Sequence, residues 1–181
     1  MTTIYTVGHG NRTLDDFIAV LNEAGIGLLA DVRRYPRSRR NPQFSRESLE
    51  RSLAAKGVEY SWRGEELGGR RDSSGESRHT ALRNTSFRAY ADYMDTNEFA
   101  NALAQLVTDA NGDRVAVMCA ERSWWRCHRR HIADALVVEG MNVIHLVDVG
   151  ESHEHVPHQA MRTDVQGRPV YDVGETGTLW A

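Results

Sequence analysis

The sequence predicts an α/β fold: a three-layer domain in which a mostly parallel sheet of about five strands is flanked by helices. Three observations predict it. Short apolar runs of strand length recur along the chain, and amphipathic stretches of helical period separate them. The runs at 27–32 and 114–118 are almost continuously apolar, as strands buried on both faces must be. No repeat or interdomain linker breaks the alternation, which points to one domain over residues 1–150 with a C-terminal extension over 151–181.

Each element has its own signal. Ile4-Tyr5-Thr6-Val7 reads as the first strand, closed by Gly8-His9-Gly10-Asn11. Thr13 then caps a helix, with Asp15 and Asp16 in the first turn, where the helix dipole favours negative charge. Leu14, Phe17, Ile18, Leu21 and Ala24 recur at spacings of three and four, and Gly25 marks the stop. After the strand at 27–32 comes a basic segment interrupted by Pro36 and Pro42, which must be loop. Ser45 caps a second helix to about Lys56, with Leu49 and Leu53 on one face and Gly57 as its stop. Residues 58–62 alternate like a strand, whereas 64–84 are rich in Gly, Ser and Arg without period, as in a long functional loop. Two helices follow, about 86–94 and 97–110 with Thr96 as cap, and then the strand that Cys119 closes. A helix from near Arg126 to Glu139 ends at Gly140, and 142–148 form the last strong strand. Beyond Gly150 the chain, with His153, His155 and His158, reads as a solvated tail.

At 181 residues the chain is long enough for one sizeable core, and its net charge of −3 argues against wholesale binding to nucleic acid. No apolar run approaches the ~18 residues of a membrane span. Met1-Thr2-Thr3-Ile4 opens no secretory signal, so the expected localisation is cytoplasmic, without a membrane partner. Two cysteines in that reducing compartment are not a disulfide framework. The average charge hides a basic segment, since residues 33–40 hold five arginines in eight positions.

Ligands of an open parallel sheet bind outside the carboxyl ends of its strands. Those ends are Gly8-His9-Gly10-Asn11, Asp31-Val32-Arg33, Trp62-Arg63 and Cys119-Ala120-Glu121-Arg122, so the reactive residues gather at one edge. Cys119 sits on a strand-to-loop turn and Cys127 in the first turn of the next helix. There the dipole, Arg122, Arg126, Arg129 and a protonated His128 all favour a thiolate. The competing reading makes Cys119 a small buried hydrophobe. Cys119 is expected as nucleophile or redox centre, Cys127 as its resolving partner, and His128 and His9 as proton carriers. Glu121 and Asp31 are carboxylates at the same edge, suited to acid–base work or to orienting a histidine, and Asp31 is equally suited to a structural arginine pair.

Arg33, Arg37, Arg39, Arg126 and Arg129 are candidate anion ligands, because guanidinium forks bind phosphate and carboxylate bidentately. The plain alternative is a solvated charged loop. Trp124, with Trp125, Trp62 and Tyr35, could stack on a base. Cys119, Cys127, His128 and His9 are also ligand types for zinc or iron, but the cysteine spacing is not that of a zinc ribbon. No metal ligand is assigned, and the cofactor stays open.

The order strand, cysteine, arginine-bearing loop, helix, glycine, strand resembles rhodanese-like sulfurtransferases and cysteine phosphatases, and the fold as a whole is distantly rhodanese-like or Rossmann-like. The phosphatase signature sets cysteine and arginine one residue closer than Cys119 and Arg126 stand here. A more specific resemblance, over nearly the whole chain to about Val147, is to the domain-of-unknown-function family DUF488. It is carried by Tyr5-Thr6-Val7-Gly8-His9-Gly10-Asn11-Arg12, Asp31-Val32-Arg33, Pro36-Arg37-Ser38-Arg39-Arg40-Asn41-Pro42-Gln43-Phe44 and Leu67-Gly68-Gly69. Tyr90-Ala91-Asp92-Tyr93-Met94 and Met118-Cys119-Ala120-Glu121, followed by Cys127-His128-Arg129, complete it. The resemblance implies that His9, Asp31, Arg33, Cys119, Glu121, Cys127, His128 and Arg129 form one site. Ser123-Trp124 departs from the family pattern of an acidic residue and proline, which implies a differently shaped loop. A site is implied, not a reaction.

Three readings follow. The first is a cysteine-dependent transferase, hydrolase or redox enzyme acting on a small anionic or nucleotide-like substrate. The alternative is a nucleotide- or nucleic-acid-binding module without catalysis, built on residues 33–40 and sensitive to salt. The third is a metal or haem site at the Cys/His cluster.

Overall fold

The computed structural model describes residues 1–73 and 75–173, and its elements follow the periods of the chain. Strand β1 (Thr3–Gly8) leads to helix α1 (Leu14–Glu23), which Thr13 caps by accepting from the Asp16 N–H. Strand β2 (Leu28–Asp31), helix α2 (Arg46–Ala54) and strand β3 (Glu59–Trp62) come next. Helices α3 (Thr85–Met94) and α4 (Asn97–Gly112), capped by Asn84 and Thr96, precede β4 (Val115–Cys119). Helix α5 (Arg129–Val138) and strands β5 (Asn142–Asp148) and β6 (Glu151–Glu154) follow. The sheet order is β3-β2-β4-β1-β5-β6, with the first five strands parallel and β6 antiparallel to β5.

Alternation along the strands sorts the core into two halves. On β4, Ala116 and Met118 pack with Phe17, Leu21, Leu49 and Leu53 of α1 and α2. Val115, Val117 and Cys119 point the other way and pack with Tyr90, Leu103, Leu106, Ile132 and Leu136 of α3, α4 and α5. Two helices therefore cover one face and three the other, the expected three layers. Each fully buried leucine contributes about 1.5–3 kcal/mol, which is why β2 and β4 are apolar throughout.

The chain after Gly150 departs from expectation. All four residues of β6 are exposed, so no apolar alternation announces the strand; main-chain pairing to β5 makes it. Strands β7 (Met161–Thr163) and β8 (Pro169–Tyr171) then form a hairpin. The solvated-tail reading is corrected, because His155, Ala160, Val170 and Tyr171 are buried, Tyr171 together with Leu82 and Ala91. Buried residues spaced this irregularly leave no period to read. Residues 174–181 of the extension, and Ser74 of the 64–84 loop, lie outside the described residues.

Candidate active site

Strands β1, β2 and β4 end side by side, and their exits carry His9, Asp31 with Arg33, and Cys119. Backbone pairing continues past the sheet: the N–H groups of His9 and Gly10 donate to the carbonyls of Cys119 and Ala120, and that of Val32 to Met118. Gly8 permits this approach, since a Cβ there would lie 2.0 Å from the Glu121 carbonyl oxygen. The loop turns through a 3-10 segment, Trp124–Arg126, and brings Cys127 back to Cys119. Cys127 thus stands two residues ahead of α5 rather than inside its first turn.

Cys119 and Cys127 are buried free thiols whose Sγ atoms lie 2.7 Å apart. Arg129, only 1% exposed, donates from Nε to Cys119 Sγ at 3.0 Å. Its other nitrogens donate to Thr6 Oγ1 at 3.2 Å and to the carbonyls of Glu121 (2.5 Å) and Arg122 (3.3 Å). A buried guanidinium without a counter-charge costs several kcal/mol, and the sulfur pair is the group placed to supply one. The titration behaviour of the pair fits. Burial opposes ionisation of Cys127, but the Cys119 thiol as donor and Arg129, through charge and backbone N–H at the head of α5, bring its pKa down from 9.0 to about 7. Burial and the bond to Cys127 push Cys119 well above the ordinary thiol range.

His128 adds a proton acceptor. Its Nε2 lies 3.2 Å from the Val32 carbonyl, which only accepts, so Nε2 carries the proton. Nδ1 therefore turns its lone pair toward Cys127 Sγ at 3.4 Å. Burial lowers the His128 pKa, which keeps the ring neutral and able to accept. The Leu67-Gly68-Gly69 turn closes against this ring: a Cβ on Gly69 would sit 3.0 Å from His128 Nδ1.

His9, Asp31 and Arg33 form a second, tightly closed network. Arg33 donates to Asp31 from Nε (2.9 Å) and Nη2 (2.6 Å), and from Nη1 to the Phe44 carbonyl at 2.8 Å. The Tyr60 hydroxyl also donates to Asp31, at 2.6 Å. All three guanidinium nitrogens are engaged within the protein, so the pair ties the β2 exit to the Phe44 turn. His9 donates from Nδ1 to the Gly10 carbonyl, accepts from Arg33 at Nε2 (3.3 Å) and stacks 4.3 Å from Phe44. Burial, followed by the Arg33 charge, holds its pKa at about 4 against a backbone bond that raises it.

A pocket of about 430 Å³ lies over the thiols, with Cys119, Cys127, His128, Tyr90, Arg70 and Arg126 in its wall. A second, of about 890 Å³, adjoins it across Arg33, Tyr35 and Arg70 and is walled by His9, Arg12, Arg37, Arg40 and Arg122. Arg37 and Arg126 are exposed at these walls, Arg39 is exposed but lines neither, and Arg129 is buried against the thiols. The Glu121 carboxylate accepts from the Ser123 N–H at 3.2 Å, and it is the carbonyl of Glu121 that meets Arg129. Trp124 stacks on His145 at 4.3 Å and is absent from the thiol pocket wall. Arg12, Arg70 and Tyr90 are wall residues that sequence reasoning did not single out for chemistry. The signal for Arg70 is the run Gly68-Gly69-Arg70-Arg71 inside a loop without period.

Among the described residues no three His, Cys, Asp or Glu side chains are grouped to hold a metal ion, and no helix is long and apolar enough to cross a membrane. The sequence model of the family described as Domain of unknown function DUF488 matches residues 13–136. That span holds Asp31, Arg33, both cysteines, His128 and Arg129, and leaves out His9 and β1. Comparison with curated proteins and with solved structures returns no match, so the rhodanese-like or Rossmann-like expectation gains no support.

Proposed function

The chain belongs to the DUF488 family, and we propose that it is a cysteine-dependent enzyme acting on a small anionic or nucleotide-like substrate. The observation that carries this reading is the Cys119–Cys127 pair held against buried Arg129 beneath a pocket edged by arginines. Titratable groups perturbed by burial and by a specific charge partner in a cleft are typical of working sites.

In the proposed chemistry Cys127 is the attacking sulfur and Cys119 its supporting partner, the reverse of the order expected from sequence. Cys127 is the more acidic thiol and faces His128 Nδ1. As Sγ bonds to the electrophilic centre, the thiol proton passes to Nδ1 and then to the leaving group, which departs with the electrons of the broken bond. Water next attacks that centre, the bond to Sγ breaks with its electron pair going to sulfur, one water proton passes to Cys127, and the free thiol is restored. Arg126, Arg70 and Arg37 hold the anionic part of the substrate in the adjoining pockets.

Alkylation of each cysteine on reduced protein, followed by mass spectrometry across pH, tests the proposal. Cys127 is expected to react with a midpoint near 7, and Cys119 only at much higher pH. Failure of both to react until the protein unfolds sinks it. Salt-sensitive nucleotide or nucleic-acid binding through Arg37, Arg39 and Arg40 would then be the reading to pursue.

A further inference from the structure

His155 lies beyond the family match, yet an unbroken chain of buried hydrogen bonds joins it to the thiol pair. Asp134 Oδ1 and His155 Nε2 are 2.9 Å apart, His155 Nδ1 and His145 Nε2 are 2.9 Å apart, and His145 Nδ1 and Thr6 Oγ1 are 2.7 Å apart. Thr6 Oγ1 then accepts from Arg129 Nη1 at 3.2 Å, and Arg129 Nε reaches Cys119 Sγ at 3.0 Å. Thr6 and Asp134 are fully buried, and His145 and Arg129 are 1% exposed.

The carboxylate end sets the direction of these bonds. The Asp134 carboxylate only accepts, so the His155 imidazole places its proton on Nε2 and offers Nδ1 as an acceptor. His145, kept neutral by burial, then donates from Nε2 to His155 and accepts at Nδ1 from the Thr6 hydroxyl, whose oxygen accepts from Arg129. Tyr171, from the same C-terminal segment, donates to the other carboxylate oxygen at 2.9 Å, and the His158 N–H donates to Oδ1 at 3.0 Å. Trp124 stacks on His145 and holds the ring in plane.

We propose that Asp134, His155, His145 and Thr6 are a positioning relay that holds Arg129 against the thiol pair, so that the C-terminal segment is a working part of the cysteine site. The proposal rests on the cysteine-dependent reading above. Its physical content is the Thr6 oxygen: with the hydroxyl proton taken up by His145, both the position of Oγ1 and its lone pairs are fixed for the Arg129 N–H, which holds the guanidinium beside Cys119.

The test follows the midpoint of Cys127 alkylation, with urea unfolding alongside. Thr6→Val cuts the relay beside Arg129 with little change in shape, and His155→Phe cuts it at the far end. His155→Gln keeps an N–H for Asp134 and an oxygen for His145. None of these variants alters the groups that face Cys127, which are Cys119 from β4, His128 and Arg129 at the head of α5, and Tyr90 from α3. Each cutting variant is expected to raise the midpoint by roughly half a pH unit or more. The double variant should rise no further than the larger single one, and His155→Gln should stay near wild type. A wild-type midpoint near 7 with unshifted His155→Phe overturns the relay and leaves the thiolate reading standing. Additive shifts in the double variant overturn it too. A wild-type protein without a low midpoint overturns the thiolate reading and the relay together. Should His155→Phe not fold, the comparison of Thr6→Val with Thr6→Ser, which keeps the hydroxyl, and with His155→Gln decides.

Discussion

Arg129 donates to Cys119 Sγ at 3.0 Å from a position where, among the described residues, no carboxylate meets it. Two unit charges about 4 Å apart attract by about 4 kcal/mol at the effective dielectric of a protein. Lowering a thiol pKa from 9.0 to about 7 needs about 3 kcal/mol of that. Burial opposes that shift, so the guanidinium works together with the hydrogen bond from Cys119 to make the sulfur pair acidic.

Removing the guanidinium should therefore undo the acidity. Arg129→Met is expected to return the Cys127 alkylation midpoint to the ordinary thiol range above ~8 and to slow reaction at neutral pH by at least roughly tenfold. Arg129→Lys should recover only part, because one ammonium cannot serve Cys119, Thr6 and two carbonyls together. A midpoint unchanged in Arg129→Met would assign the acidity to the head of α5 instead.

The two sulfurs should also oxidise as a pair. With diamide as oxidant, both thiols lose a proton and together give up two electrons, forming a Cys119–Cys127 disulfide while the azo group is reduced to the hydrazine. Peptide mapping should find the bridge after brief treatment, dithiothreitol should reverse it, and Cys119→Ala should block it. Persistence of two free thiols under excess diamide would show that the pair is closed to oxidants.

Stability should fall in acid. His9, His131 and His145 are desolvated by burial, with folded pKa values of about 4, about 3 and about 2 against an ordinary 6.5. The unfolded chain takes up these protons below pH 6.5 and the folded one does not, so stability drops as pH falls from 6.5 toward those values. Cys127 acts in the same direction: its contribution is complete above pH 9 and is lost as pH falls through about 7. Urea unfolding between pH 4.5 and 7.5 should show stability rising with pH, at about 1.4 kcal/mol per pH unit for each proton taken up on unfolding. His131→Phe should flatten the slope by about one proton, and a flat wild-type profile would contradict the burial of these rings.

Asp31 and Arg37 should separate structure from binding. Asp31→Asn leaves Arg33 buried beside a neutral amide and is expected to cost about 3–5 kcal/mol. Arg37→Ala is exposed and should change stability by about 0.5 kcal/mol or less, while weakening retention of inorganic phosphate or a nucleotide in calorimetry at low salt. Equal binding by Arg37→Ala and wild type would remove the basic pocket from the proposal.

Much of the architecture was legible because strands and helices differ in period. Thr13 caps α1 through a bond to a residue three positions away, and β4 is apolar throughout because helices cover both its faces. Strand β6 was not legible, since Glu151-Ser152-His153-Glu154 is exposed along its length and is held by main-chain bonds that any residue makes. Arg33 looked like an anion ligand by type; its engagement with Asp31 and the Phe44 carbonyl depends on how the loop after β2 folds back.

By itself, then, the sequence determined the order of strands and helices from β1 to β5 and placed His9, Cys119, Cys127 and His128 at one edge of a parallel sheet, because residue type and spacing are enough to specify both. Only the tertiary structure decided that the two sulfurs touch, that Arg129 rather than Arg33 meets them, and that His155 is linked to the site rather than solvated. Desolvation and hydrogen-bond partners depend on what packs around a group, and here the partners come from positions as distant in the chain as Thr6 and His145.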